Sequence, residues 1–172
     1  MKKFLFLGFL FAGNALAATY TFNKNNNKVD WQAVGNPGFL RINAEGGSAE
    51  GVIYADGGKV SGALTVDLRD YRTGIELRDE HMKNKYLMVD KYPKAKLILK
   101  NQSYLEGKEI TAKGLLTLKD ETKPVDVIFT VTGKLLDAKF KIKLSDFPSV
   151  GIPSHLGVTV ANELTVNVKA NL

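Results

Sequence analysis

The chain has 172 residues, no cysteine, and 24 lysines and arginines against 18 aspartates and glutamates, a net charge of +6. Without cysteine there is neither a thiol to lipidate nor a disulfide, so stability has to come from an ordinary apolar core. The lysines are spread along the chain rather than clustered, which points to a solvated basic surface and away from nucleic acid.

Met1-Lys2-Lys3 is followed by the apolar residues 4–11 and then by Ala12-Gly13-Asn14-Ala15-Leu16-Ala17. That basic, apolar, small-residue order is the pattern of a secretory signal, with cleavage predicted after Ala17. The apolar run is far short of the roughly 20 residues that span a bilayer as a helix. Residues 1–17 are therefore predicted to be a signal peptide and residues 18–172 the exported, periplasmic domain, with a charge of +4 once Lys2 and Lys3 are removed. A chain of that length supports one domain that buries about two-thirds of its unfolded surface.

Short strands are predicted first at 28–33, 39–44 and 49–54. Period-two alternation follows in Leu64, Val66 and Leu68, which alternate with Thr65, Asp67 and Arg69. Further strands are predicted at 94–104 and 108–119. Val125, Val127, Phe129 and Val131 continue the pattern, as do Ala138, Phe140, Ile142 and Leu144 with Lys139, Lys141 and Lys143 between them. Leu164, Val166, Val168 and Ala170 complete it. Successive side chains of a strand point to opposite faces, so each run carries one apolar face. Turns fall at Asn36-Pro37-Gly38, Glu45-Gly46-Gly47, Asp56-Gly57-Gly58, Glu106-Gly107-Lys108 and Thr132-Gly133-Lys134. Eight or nine short strands with tight turns predict an all-β antiparallel sandwich or barrel.

One helical insert is predicted over residues 73–84, opened by a capping box between Thr73 and Glu76. Leu77 and His81 share a face of it, and Asp79 and Lys83 have the spacing of a helical ion pair. Tyr92-Pro93 returns the chain to extended structure. A membrane barrel would alternate in the same way. The single tryptophan, Trp31, the lack of aromatic girdles and the short strands favour instead a soluble barrel, not integral to the membrane. An eight-stranded barrel is wide enough to be filled by side chains or to hold one small ligand.

The segment from Thr73-Gly74-Ile75-Glu76-Leu77-Arg78-Asp79-Glu80-His81-Met82 through Lys85-Tyr86-Leu87 to Lys91-Tyr92-Pro93-Lys94-Ala95 resembles the YceI-like family of periplasmic, polyisoprenoid-binding proteins. Weaker agreement continues through Gly114-Leu115-Leu116-Thr117-Leu118, Thr122-Lys123-Pro124-Val125 and Asp146-Phe147. The resemblance implies an antiparallel, eight-stranded, lipocalin-like barrel whose pore takes an isoprenoid quinone or a fatty-acid-like chain. Two positions depart from the family pattern. Residues 29–35 lack its early histidine, and Lys143-Leu144-Ser145-Asp146-Phe147 lacks the arginine before Asp-Phe.

Trp31, Phe39, Tyr54, Tyr86, Phe129 and Phe140 are core residues first and cavity lining second, and Val66, Leu68, Met82 and Ile142 join them as candidates for ligand contact. Arg78, Asp79 and His81 are expected to lock the helix over the barrel mouth through charge-assisted bonds to backbone, the alternative being that one of them meets a ligand head group. His81 and His155 are the only histidines, and Asp79 and His81 are poorly spaced for zinc, so no metal or cofactor is expected. There is no Gly-x-Ser-x-Gly elbow and no phosphate-cradling loop, so an enzyme is not expected. The predicted function is a carrier for a long apolar small molecule. The alternative is a structural or stress-protective envelope protein without a specific ligand. A homodimer is compatible with either.

Overall fold

The computed structural model describes residues 17–36, 38, 40–155 and 158–172. Residues 1–16 of the expected signal peptide, and Phe39 among the expected contacts, lie outside the described residues. Eleven strands follow one another among the described residues. They are β1 (Ala18–Phe22), β2 (Asn27–Asn36), β3 (Arg41–Gly47), β4 (Ala49–Asp56), β5 (Lys59–Asp67), β6 (Lys94–Ser103), β7 (Ile110–Leu118), β8 (Glu121–Thr132), β9 (Leu135–Lys143), β10 (Ser154–His155) and β11 (Val158–Asn171).

The strands form one antiparallel sheet in the order β1-β4-β5-β6-β7-β8-β9-β11-β2-β3, with β10 paired to β11. The sheet curls because β3, at one end of this order, continues into β4, beside the other end, through Ser48 alone. Asn27 of β2 reinforces the seam: its amide donates to Ala49 O at 2.9 Å and accepts from Ala49 N at 2.6 Å. A side chain there stands in for the missing strand neighbour and satisfies both backbone groups of β4's first residue.

The all-β antiparallel class agrees with the sequence expectation, but the eight-stranded count does not. Ten strands lie along the sheet path, and β10 lies off it. β1 is the main addition, carrying the alternation Ala18, Tyr20, Phe22 and pairing with β4 from Ala18↔Ala55 to Phe22↔Gly51. Five residues beside an expected cleavage site are too short a run for periodicity to declare itself, and β10 is shorter still.

Apolar alternation decides which face turns inward. In β9, Ala138, Phe140 and Ile142 are buried while Asp137, Lys139, Lys141 and Lys143 face out. In β8, Val125, Val127, Phe129 and Val131 are buried in the same way. On the outer surface Lys113 meets Asp126 at 2.8 Å and Lys141 meets Glu163 at 2.7 Å, exposed pairs worth at most about 1 kcal/mol each.

The 26 residues between β5 and β6 hold a 3₁₀ turn (Leu68–Asp70), a short helix α1 (Glu76–Glu80) and a π-helical turn (His81–Leu87). Together they form a flap over one end of the barrel. The connections β7–β8 and β9–β10 share that end, the mouth. The connections β4–β5, β6–β7 and β8–β9 lie at the other, the base.

The flap departs from the predicted single helix with a capping box. The helix cap is Ile75, whose side chain makes no capping bond, and the Thr73 hydroxyl turns to Asp79 instead of to the helix start. A carboxylate is the stronger acceptor, so it wins the hydroxyl. Past Glu80 the helix widens into the π-helical turn, which ends at Met88 in the left-handed conformation (φ 51°).

Candidate functional site

Beneath the flap the barrel is hollow. A cavity of about 510 Å³ opens at the mouth and is walled by inward residues of the sheet: Val29 and Trp31 of β2, Leu64 and Val66 of β5, Leu116 and Leu118 of β7, Phe140 and Ile142 of β9, and Val166 and Val168 of β11. Met82, Tyr86 and Leu87 of the flap roof it. The lining is overwhelmingly hydrocarbon, so an apolar chain inside would lose no hydrogen bonds to water and gain dispersion contacts on every side. Polar lining comes mainly from near the mouth: Thr73, Arg78 and His81 from the flap, and Ser154 and Thr159 from the facing strands β10 and β11.

Local folding of the flap explains how these polar groups are held. Arg78 donates through Nε to Thr73 Oγ1 at 2.8 Å and through Nη2 to Thr73 O at 2.6 Å. Asp79 accepts from Thr73 N at 2.8 Å and from its hydroxyl. One threonine is thus gripped by a cation and an anion one residue apart, and the loop before α1 is fixed against the helix. Upstream, the 3₁₀ turn is capped by Asp67, which accepts from Arg69 N at 3.0 Å and pairs with the Arg69 guanidinium. That guanidinium holds the Asp67 carboxyl down at about 2.

Tyr71 then drops into the wall. It is buried, meets Trp31 edge-on at 6.3 Å, and lies so close to Gly47 that a Cβ there would sit 2.5 Å from the ring. Glycine is required at that point by contact, not by turn geometry. Burial, and secondarily the charge of Asp30, push the Tyr71 phenol well above its ordinary value, so it stays neutral.

Across the mouth the flap is tied to the β9–β10 connection by polar contacts. Lys119, in the β7–β8 turn with φ 56°, donates through Nζ to Tyr86 O at 3.2 Å on the flap and to Ser149 O on the opposite loop. Glu121 accepts from Ser149 N at 2.7 Å, and this bond lowers its carboxyl below the usual value. The Tyr86 hydroxyl accepts from Ser154 N at 3.1 Å and contacts Ser154 O at 3.2 Å.

The residues expected at a ligand site divide into groups. Trp31, Val66, Leu68, Met82, Tyr86, Phe140 and Ile142 line the cavity, as do Arg78 and His81. Asp79 stands behind them, bonded to Thr73. Two aromatics do not line it. Tyr54 is 58% exposed on the outer face of β4, because β4's inward positions are Ile53 and Ala55. Phe129 is buried near the base, stacked on Tyr104 at 6.5 Å between centroids. Residues not singled out in the sequence also line the cavity, among them Leu64, Val166 and Val168, whose alternation marks them as inward, and Tyr71 and Val150, which sit in turns where no periodicity signals them. Among the described residues no three metal-ligating side chains converge, and no helix is long and apolar enough to cross a membrane.

A curled antiparallel barrel with an apolar cavity under a helical flap defines the architectural class. Residues 20–172 match the model of the YceI-like domain, and the chain belongs to that family. It is similar in structure to BcnA of Burkholderia cenocepacia, with 21% identity, a TM-score of 0.67, and coverage of 83% of this chain and 94% of that one. A polyisoprenoid binding domain from Saccharophagus degradans, described as implicated in plant cell wall breakdown, matches with 12% identity and a TM-score of 0.63 over 91% of this chain and 100% of the other. The YceI protein of Campylobacter jejuni matches with 21% identity and a TM-score of 0.55, covering 72% and 81%. No curated protein sequence matches the chain.

Proposed function

We propose that this protein binds one long apolar molecule, an isoprenoid quinone, polyisoprenoid or fatty-acid-like chain, in the cavity beneath the flap, and carries it in the periplasm after removal of residues 1–17. The observation that carries this reading is the cavity itself: about 510 Å³ walled almost entirely by hydrocarbon and open at one end. A void of that size in a barrel of this length is costly unless something fills it, because its walls forgo their packing partners. The polyisoprenoid-binding description of the Saccharophagus domain supports the same chemistry.

Each buried methylene contributes about 0.8 kcal/mol, so ten give about 8 kcal/mol and twenty about 16 kcal/mol against ordering costs of about 4–15 kcal/mol, and affinity therefore rises with chain length. In this reading Trp31, Val66, Leu68, Met82, Tyr86, Phe140 and Ile142 grip the chain, and Arg78 and His81 lie where its polar end emerges. Titration of the delipidated protein with a long-chain isoprenoid quinone, followed by Trp31 fluorescence, tests the reading. Saturable binding at micromolar concentration, unchanged by salt, is expected, since no charge pair drives it. Absence of saturable binding would favour a structural envelope role.

A further inference from the structure

We propose that Tyr20, Tyr104 and Phe129 form an aromatic floor that makes the cavity a blind-ended gauge of chain length. One chain of on the order of 15–20 carbons fills it, at about 30 Å³ for a group the size of a water molecule or methylene, and any further length remains outside the mouth. This rests on the apolar-chain reading above and deepens it.

The floor is defined by where the lining stops. Phe140 of β9 faces the cavity, but the next inward residue toward the base, Ala138, is paired with Phe129 of β8 and lies outside the lining. On β5 Leu64 lines the cavity while Val60, nearer the base, is only 4% exposed and does not. In that layer the Phe129 ring stacks on Tyr104 with their planes 14° apart, and the Tyr104 hydroxyl meets that of Tyr20 at 3.4 Å. The small residues at that level, Ala112 and Ala138, are buried and outside the lining, so they leave no side passage.

Below the aromatics the base is closed by backbone. Tyr104 N donates to Gly58 O at 2.9 Å, Gly107 N to Val131 O at 2.7 Å and Leu172 N to Lys134 O at 2.6 Å. The first joins the β4–β5 and β6–β7 connections, the second ties the β6–β7 connection to the end of β8, and the third ties Leu172 to the β8–β9 connection, so a chain cannot thread out at this end without breaking them. The mouth is therefore the route of entry, and the ligand's apolar tip is what meets the floor.

The test is a homologous series of saturated fatty acids, from about ten to about twenty-four carbons, titrated into the delipidated full chain with Trp31 fluorescence as the readout. Affinity should climb with each methylene, by up to about fourfold, and then level off where the tip reaches the floor. Phe129→Ala should move that break longer by about three or four carbons, the space its ring vacates. Tyr104→Ala, at a half-buried position, should move it in the same direction and decides the matter if the first variant does not fold. Affinity that keeps rising through the longest chain, or a break left in place by whichever variant keeps the wild-type circular dichroism, would overturn the gauge alone. Failure of every chain length to bind would overturn the carrier reading along with it.

Discussion

The two ends of this barrel are built from one sheet and solve different problems. At the base, neighbouring connections are joined backbone to backbone and aromatic rings fill the interior. At the mouth, the long connection between β5 and β6 arches over the cavity and is held by side chains, chiefly Lys119, Tyr86, Arg78 and Asp79. Side-chain contacts near solvent are individually weak and are exchanged for water at little cost, whereas buried packing is lost only with the fold. The base is thus the stable end, and the mouth the end able to open.

The largest expected contrast is between two phenylalanines that alternate with the same pattern. Phe129→Ala at the base should cost about 3–5 kcal/mol in denaturant unfolding. Phe140→Ala should cost about 2 kcal/mol, because one side of that ring already faces the cavity and has fewer contacts to lose. Equal losses would mean that the two ends are packed alike.

Next in size is the tie across the mouth. Lys119→Met keeps the aliphatic stem and removes both donations, so a loss of about 1–2 kcal/mol is expected. Amide hydrogen exchange should quicken in the π-helical turn and around Ser149, while the base strands keep their protection. Arg78→Ala and Asp79→Ala should each cost about 1–2 kcal/mol. The double variant should cost less than the sum, since both grip the same threonine. A strictly additive result would show that the two contacts are independent.

The smallest effect concerns acid. Asp67 has its carboxyl lowered in the folded state to about 2 from an ordinary 3.8 by the Arg69 guanidinium. A group depressed by folding contributes stability that is present above the unfolded value and is lost as pH falls through the folded one. The wild type should therefore lose flap stability between about pH 4 and pH 2, and Asp67→Asn should flatten that part of the curve. The pair is largely exposed on the arginine side, so the change should stay under about 1 kcal/mol. Acid unfolding curves of the two proteins would reveal it.

The contrast between the ends also explains what the sequence made legible. Strands with a buried face advertise themselves by alternation, and β5, β8, β9 and β11 were all visible in this way. So was the apolar lining they supply, because inward residues are the same whether they pack on each other or face a void. For the same reason the sequence could not tell Phe129 from Phe140: both are inward, and only register and the neighbouring Tyr104 decide which level of the barrel each occupies. Tyr54 misled because an aromatic in a strand suggests burial, while its neighbours Ile53 and Ala55 already claimed the inner face. The flap was recognisable as helical, but its hydrogen bonds were not. Thr73 and Glu76 have capping-box spacing, and only the folded loop brings Asp79 close enough to take the hydroxyl. Lys119 has no local signal at all, since both of its acceptors are backbone carbonyls from distant segments.

The most direct test of the hollow, chain-binding interior is mass spectrometry of the full-length gene product purified from envelope fractions without detergent, first intact under native conditions and then after organic extraction. The expected result is a protein beginning at Ala18 that carries close to one equivalent of a single apolar long-chain species. An intact mass equal to the polypeptide alone, with an extract containing no lipid and no chain taken up on reconstitution, would contradict the account.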